Sequence, residues 1–220
     1  MMMTTATYHK ELFDQCVALM SDTWDFNELF PQLEKANLIN ELFFREVLAG
    51  ADYSEIILDE DSRVRGYLFG ILRPNPRVRM LGAARSIWFR ARLAYHFLLG
   101  HFGPRGRARR RVAELASLTA ILDGKKRAND GYVSLYFVGS ALRGQGWGRR
   151  LMDSFERRCR ELRRDRIYLW TDKGCNFGFY DHHGFQRVEE VSSPLLAHYG
   201  SGPNGFVYVK PLDRQPIGRL

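Results

Sequence analysis

The fold of this 220-residue chain is decided by Arg143-Gly144-Gln145-Gly146-Trp147-Gly148, a glycine-rich stretch between two segments of different periodicity. The apolar run Tyr132 to Val138 precedes it, and the amphipathic run Leu151 to Leu162 follows it. This order is typical of a strand, a tight turn and a helix. Glycines let successive backbone N–H groups face one point, and the positive end of the helix dipole adds to them. The stretch therefore predicts a pyrophosphate site, with an ordinary tight turn as the alternative.

The spacing of these glycines excludes two common phosphate-binding loops. A mononucleotide loop ends in Gly-Lys-Ser or Gly-Lys-Thr, and a dinucleotide loop needs Gly-x-Gly-x-x-Gly with an acidic residue about 20 positions later. Neither pattern is present around residues 143–148. The pattern that remains, Arg-x-x-Gly-x-Gly, resembles the pyrophosphate loop of the GNAT N-acetyltransferase superfamily.

A second segment supports this resemblance. After the strand-like run Ile167 to Thr171, the chain continues with Asn176-Phe177-Gly178-Phe179-Tyr180 and then Gly184-Phe185. This succession is similar to the family's Asn-x-x-x-Tyr followed by Gly-Phe, and the two motifs come in the family's order. The resemblance covers residues 132–185, whereas the flanks resemble the family only in their succession of elements.

The resemblance implies a mixed α/β fold, in which helices flank a central, mostly antiparallel sheet with splayed strands. The strand Tyr132 to Val138 is expected to separate from the strand Ile167 to Thr171, and acetyl-coenzyme A would enter the gap as a co-substrate. The length favours a single domain, 1–220, since a chain of this size buries about 70% of its unfolded surface.

The family's binding residues carry over onto matching positions of this sequence. The backbone of Phe137 and Val138 is expected to pair with the pantetheine arm, and the loop to hold the pyrophosphate through its N–H groups. Asn176 would hydrogen-bond the pantetheine arm, with a helix N-cap as its alternative role. Arg149 is expected to contact the pyrophosphate, and the alternative is that it lies on a solvent-exposed helix surface. The expected coenzyme-binding residues are Phe137, Val138, Arg143, Gly144, Gln145, Gly146, Trp147, Gly148, Arg149 and Asn176.

Tyr180 matches the family tyrosine that protonates the sulfur of the departing coenzyme A. A phenol suits this task because it carries its proton at neutral pH, and the alternative role is that of a core tyrosine. A general base is not evident, because the positions where family members often carry a Glu are here Tyr132 and Ser134. The remaining candidates, besides a water relay, are Asp172, His182 and Glu114.

Charge is distributed unevenly along the chain. Residues 1–61 contain 13 acidic residues and have a balance of −10, whereas residues 62–113 contain 13 Arg and no acidic residue. The remaining residues add +5, which brings the net charge to +8. The family places its acceptor near the first two helices, where this chain carries Asp22, Trp24, Asp25 and Phe26. Carboxylates among aromatic rings suit a cationic amine, so we expect a polyamine, an amino sugar or a peptide amine. The alternative is that these acids cap helices or face the basic residues.

The remaining pattern predicts leading helices at 8–21 and 32–49, a hairpin of strands at 55–58 and 64–72, and closing strands at 186–191 and 206–210. The main departure from the family is a basic insertion at 73–131. It predicts one amphipathic helix over 81–98, a basic turn at 103–111 and a second helix at 112–122.

The sequence does not decide which partner, if any, the insertion binds. Its Arg residues suit RNA, an acidic protein or an anionic membrane surface, and a structural role is equally compatible. Three functional classes therefore remain: an enzyme that acetylates a small amine, a protein or ribosome-associated acetyltransferase that docks through the insertion, and a noncatalytic acyl-coenzyme A sensor. The matched Tyr180 favours an enzyme, whereas the missing base slightly favours the sensor.

Other features exclude further classes. No stretch reaches the ~18 consecutive apolar residues of a membrane span and no targeting segment is visible, so a cytoplasmic location is expected. Cys16, Cys159 and Cys175 lack paired spacing and predict free thiols. The pair His182-His183 has no accompanying ligand cluster, so no metal is expected. The sequence leaves a homodimer open.

Overall fold

The computed structural model describes residues 2–22, 38–73, 91–101 except 93, and 104–212 except 201. Within these ranges, one sheet contains the strands β1 Thr4–Ala6, β2 Tyr53–Leu58, β3 Val64–Ile71, β4 Asp130–Val138, β5 Arg166–Asp172, β6 Gln186–Val191 and β7 Gly205–Pro211. Their order across the sheet is β1-β2-β3-β4-β5-β7-β6. β4 and β5 run parallel, and the other neighbouring pairs are antiparallel.

Five helices lie wholly within the described residues: α1 Phe13–Ser21, α2 Leu38–Gly50, α3 Arg105–Asp123, α4 Trp147–Glu161 and α5 Gly178–His182. Short 3-10 turns cover Lys10–Leu12, Ser140–Leu142 and Pro194–Tyr199. The first predicted helix therefore begins later than its apolar spacing suggested, and the second ends as expected at Gly50. Strand β1 was not predicted, because three residues are too few to show an alternation.

Two layers of helices cover the sheet. On one face, Leu151 and Phe155 of α4 pack with Leu68, Ile167 and Tyr208 in one buried cluster. On the opposite face, α1 and α2 cover the first strands through buried side chains such as Val17 and Phe44, and α3 covers the last strands through Leu118 and Leu122. The insertion thus supplies part of the core as well as surface.

The predicted basic turn at 103–111 is wrong from Arg105 onward, because α3 begins there and runs without interruption to Asp123. Arg is a good helix former, and the single Gly106 costs only about 1 kcal/mol in a helix interior. Residues 91–92 and 94–98 are helical, in agreement with the predicted amphipathic helix, whose first part lies outside the described residues. Two members of its apolar stripe, Tyr95 and Leu98, are exposed.

Strand β4 contains a β-bulge at Ser134. Leu135 pairs with Phe69 and Val133 pairs with the next residue, Gly70, so Ser134 has no opposite residue on β3. A simple alternation would place Val133 and Leu135 on the same face of the sheet. Instead, Val133 packs on the side of α4 and Leu135 on the side of α1 and α2, because the extra residue reverses the alternation.

Candidate active site

A gap opens between β4 and β5. The two strands pair at three positions, Asp130 with Arg166, Gly131 with Ile167 and Tyr132 with Tyr168. Beyond these positions β4 stays paired with β3 as far as Val138, and β5 stays paired with β7 as far as Asp172. The strands therefore diverge at the expected place, as the predicted splayed sheet requires.

A cavity of about 610 Å³ occupies this gap. Its walls come from β4, β5, the glycine-rich loop, the start of α5 and one residue of α2. Nine of the predicted functional residues line it: Phe137, Val138, Arg143, Gly144, Gly146, Gly148, Arg149, Asn176 and Tyr180. Segments that are far apart in sequence thus meet around one space.

Two predicted residues, Gln145 and Trp147, are not among the described residues that line the cavity. The exposed Gln145 side chain donates a hydrogen bond to the carbonyl oxygen of Ala141 at 2.7 Å. Trp147 packs against the core cluster under α4, with the Arg150 guanidinium 4.5 Å from its ring centre. Both side chains support the loop, and any ligand contact would come from their backbone.

The glycine-rich loop requires its glycines for conformation. Gly144 and Gly146 have φ values of +75° and +79°, in the left-handed region that is costly for other residues, and a Cβ on either would meet no neighbour within 4 Å. Gly146 is the N-cap of α4 and offers no capping side chain. The first turn contains no acidic residue but does contain Arg149. The positive helix end is therefore uncompensated and suits an anion.

Gly148 has a different reason to lack a side chain. A Cβ at this position would overlap the hydroxyl oxygen of Tyr136, which reaches from β4 toward the first turn of α4. Tyr136 also lines the cavity, and burial raises its pKa. Sequence analysis did not single out Tyr136, because the bulge at Ser134 decides which side of β4 it faces.

Tyr180 lines the cavity and is 8% exposed. Its ring contacts those of Phe185 and Tyr208, with centres 5.6 and 5.3 Å away, and lies 6.5 Å from that of Tyr136. Burial, with smaller contributions from Tyr136 and Cys175, raises the pKa of the Tyr180 phenol well above its ordinary value. The phenol therefore keeps its proton through the neutral and moderately alkaline range.

Asn176 is exposed at the rim of the same cavity, just before α5. The N-cap of α5 is Phe177, and no side chain caps that helix. The alternative role of Asn176 as a helix N-cap is therefore not the one the structure gives it, and its amide is available beside the cavity.

None of the three candidate bases lies among the described residues that line the cavity. Asp172 is buried and accepts the N–H of Gly174 at 2.9 Å, and the exposed His182 contacts the carbonyl oxygen of Gly178. Glu114 lies on α3 beside a separate cavity and pairs with Arg110 at 3.1 Å.

Tyr132 and Ser134, the two strand positions at which family members often carry a Glu as general base, lie in different surroundings. Tyr132 packs toward α3, with Lys126 Nζ 3.7 Å from its ring centre. Ser134 lines the cavity, and its buried Oγ has no hydrogen-bond partner within the described residues. An unpaired buried hydroxyl costs about 1–3 kcal/mol, so a ligand or water that bonded it would be stabilised.

The predicted acceptor residues are mostly outside the described ranges, namely Trp24, Asp25 and Phe26. Asp22 follows α1 as its C-cap and is not among the described lining residues. The charged members of the described lining are Arg143 and Arg149, while Phe43 and Trp170 supply aromatic surface. The described walls thus offer no carboxylate to an ammonium group.

Three general features concern the whole described chain. Cys16, Cys159 and Cys175 are free thiols, and burial raises the pKa of Cys16 and Cys159 to about 12. No cluster of three His, Cys, Asp or Glu side chains suited to a metal ion occurs in the described ranges. None of the described helices is both long and apolar enough to cross a bilayer.

Comparisons with known proteins agree with this geometry. The Acetyltransferase (GNAT) family model matches residues 86–185, which include both motifs. A GNAT acetyltransferase of Staphylococcus aureus superposes with a TM-score of 0.53 at 14% identity, over 96% of this chain and all of the other. The PaiA N-acetyltransferase of Thermoplasma acidophilum, solved with coenzyme A, gives 0.52 at 11% identity, over 96% and 100% of the two chains.

The ribosomal-protein-S18-alanine N-acetyltransferase of Escherichia coli gives a TM-score of 0.51 at 8% identity, over 100% of this chain and 99% of the other. No curated protein matches the chain significantly in sequence. At these identities the structural neighbours establish the fold, and the family model adds the motifs. Residues 86–185 therefore match the GNAT acetyltransferase family, and the fold of the described chain is the one that GNAT acetyltransferases share.

Proposed function

We propose that the chain is an N-acetyltransferase that moves an acetyl group from acetyl-coenzyme A to a primary amine. The observation that carries the proposal is that the glycine-rich loop, the diverging edge of β4 and Tyr180 line one cavity. Each of the three is suited to a different part of the same elongated co-substrate.

The loop supplies the anion-binding end. The N–H groups of the first turn of α4 have no partner within the helix, and they point along the helix axis toward the loop. Arg143 and Arg149 line the same end and add charge-assisted hydrogen bonds to a pyrophosphate. The residues present therefore fit a phosphorylated co-substrate, which would bring an activated acetyl thioester into the cavity.

Tyr180 supplies the proton at the other end. Transfer of the acetyl group leaves a sulfur that needs a proton, and the Tyr180 hydroxyl holds one at every pH at which the enzyme would work. Burial also keeps water away from the phenol, which would strengthen a hydrogen bond from its hydroxyl to the departing sulfur.

The amine is expected to react in its neutral form. None of the described wall residues carries a carboxylate. Attack on a thioester needs the lone pair of the neutral amine, so we expect the amine to lose its proton to water before or during entry. The Ser134 hydroxyl, buried and without a protein partner in the described chain, is suited to hold such a water.

A coenzyme A release assay across acceptors tests the proposal. The panel contains polyamines, aminoglycosides, basic peptides with a free N-terminus, and the same peptides with only the Lys amine free. An α-amine has a pKa near 8 and a Lys amine one near 10.4, so the peptide pair also shows how much the neutral form matters. Release with at least one acceptor, abolished in Tyr180→Phe, supports the enzyme. Tight coenzyme binding without release from any acceptor would favour a sensor.

A further inference from the structure

The described part of the insertion exposes an apolar cluster. Tyr95, Leu98 and Leu99 are 59%, 66% and 53% exposed. The Leu99 N–H donates to the Tyr95 carbonyl oxygen at 3.1 Å, so the helical turn includes all three residues. Positions i, i+3 and i+4 of a helix share one face, and the three side chains therefore form one outward patch.

A basic cluster lies next to this patch. Arg105, Arg107, Arg109 and Arg110 are exposed in the first half of α3. The Arg105 guanidinium donates to the Leu98 carbonyl oxygen at 3.3 Å, which joins the start of α3 to the apolar turn. We call the combined set, Tyr95, Leu98, Leu99, Arg105, Arg107, Arg109 and Arg110, the basic-apolar surface.

The positive charge of this surface exceeds the negative charge that its neighbours in sequence supply. Residues 62–113 contain 13 Arg and no acidic residue, and the first acid that follows, Glu114, pairs with Arg110. The first turn of α3 contains no acidic residue, so the helix dipole adds to the positive charge. The complementary partner is therefore anionic.

The apolar half of the surface decides which anionic partner fits. RNA would contact the Arg side chains and stack on aromatic rings, but it offers little to Leu98 and Leu99. An acidic peptide would likewise leave both leucines in water. A lipid surface satisfies both halves, because Leu and aromatic side chains enter the headgroup boundary while Arg contacts anionic headgroups. The sequence nearby adds Trp88, Phe89, Phe97 and Phe102, the composition of an interfacial segment.

We propose that the basic-apolar surface binds the face of an anionic lipid bilayer. Leu98 and Leu99 would enter the headgroup region, and Arg105, Arg107 and Arg109 would contact lipid phosphates. The proposal is independent of the acetyl-transfer chemistry, because none of these residues lines the cavity between β4 and β5.

Flotation of the full chain with lipid vesicles tests the proposal. The vesicles are pure phosphatidylcholine, or phosphatidylcholine with about a quarter phosphatidylglycerol. We expect binding to the anionic vesicles, and a loss when NaCl is raised from about 0.1 to 0.5 M, because the Debye length shortens. The variant Leu98→Ser/Leu99→Ser should bind at least about tenfold more weakly although its charge is unchanged. Replacing the four Arg with Gln should cost roughly fivefold for each Arg that reaches the lipid.

Matched controls use exposed residues elsewhere. Val188→Ser removes an apolar side chain that is 52% exposed on β6, and a combined Gln variant of Arg63, Arg157, Arg158 and Arg163 removes the same charge as the four-Arg variant. Both should bind vesicles like the wild type. Equal flotation with neutral and anionic vesicles, or no effect of the two Ser substitutions, would overturn the proposal. In the latter case, binding to single-stranded RNA or polyglutamate would identify the competing partner. Circular dichroism confirms that each variant is folded.

Discussion

Asp130 and Arg166 form a two-point ion pair that joins β4 to β5 at the end where these strands are still neighbours. Arg166 Nε lies 2.8 Å from Asp130 Oδ1, and Arg166 Nη2 lies 3.0 Å from Asp130 Oδ2. The Arg166 side chain is 15% exposed and that of Asp130 is 3% exposed. Asp130 also accepts the N–H of Arg127. The pair therefore holds the paired ends of the two strands together, two positions before Tyr132 and Tyr168, the last pair before the strands diverge.

Arg166→Met should destabilise the fold, because it leaves a buried carboxylate without its charged partner. We expect a loss of roughly 3 kcal/mol in the free energy of unfolding, measured by urea denaturation. The double variant Asp130→Asn/Arg166→Met removes the stranded charge and should recover part of that loss. A loss below about 1 kcal/mol in the single variant would mean that the pair does not secure the junction.

Gly146→Asp should weaken acetyl-coenzyme A binding. Its carboxylate would stand at the N-cap of α4 and repel phosphate from the helix end. The matched variant Gly146→Ala introduces the same left-handed strain without the charge. Because Asp is a good N-cap, Gly146→Asp should be at least as stable as Gly146→Ala and yet bind more weakly by calorimetry. Equal affinity in the two variants would remove the pyrophosphate from this loop.

Tyr180→Phe should lower turnover by ~10² to 10⁴-fold while coenzyme affinity stays near the wild-type value, since the ring remains and only the proton is lost. Tyr208→Phe is the matched control. Its ring lies 5.3 Å from that of Tyr180, but its hydroxyl accepts a hydrogen bond from Arg187 and it is not among the described cavity residues. Turnover of Tyr180→Phe within about twofold of the control would exclude Tyr180 as the acid.

The burial of Tyr180 also determines how turnover should depend on pH. Since the pKa of Tyr180 is raised well above its ordinary value, the acid stays protonated, and the rate should not fall on the alkaline side below about pH 10. On the acid side, the rate should rise with pH as the acceptor amine loses its proton. Steady-state rates across pH 6–10 measure both limbs. A descending limb centred between about pH 7 and 9 would require another acid.

Lys210→Met should destabilise the fold at neutral pH, by about 1 kcal/mol. Burial tends to raise the pKa of Glu156, but hydrogen bonds from Lys210 and Arg160, at 2.6 and 2.7 Å, outweigh it and hold that pKa below its ordinary value. A lowered carboxyl pKa stabilises the fold above the unfolded pKa near 4.3, and this contribution is lost as pH falls through the folded pKa.

The destabilisation caused by Lys210→Met should therefore shrink as the pH of the unfolding experiment is lowered below about 4. Lys125→Met provides the control, because Lys125 pairs with Glu189 at 2.9 Å with both side chains more exposed, and it should cost less at neutral pH. A pH-independent loss in Lys210→Met would mean that the lysine acts through packing of its stem and not through the charge of Glu156.

The sequence by itself determined the elements whose causes are local. Gly144 and Gly146 indicate a tight loop in the sequence, because few other residues tolerate a positive φ. The helical spacing of the apolar residues after Gly148 predicts α4. The family resemblance added the roles proposed for Tyr180 and Asn176. The prediction from local sequence was wrong in the insertion, where the Arg-rich segment was predicted to be a turn but forms the first half of α3.

Only the tertiary structure decided what depends on contacts between distant segments. The bulge at Ser134 is visible only against β3, and it decides which face of the sheet receives Leu135. The ion pair of Asp130 with Arg166 joins residues 36 positions apart, and no periodicity signals it. Side-chain alternation and helical spacing describe one element at a time, whereas the width of the cavity depends on where two strands stop pairing.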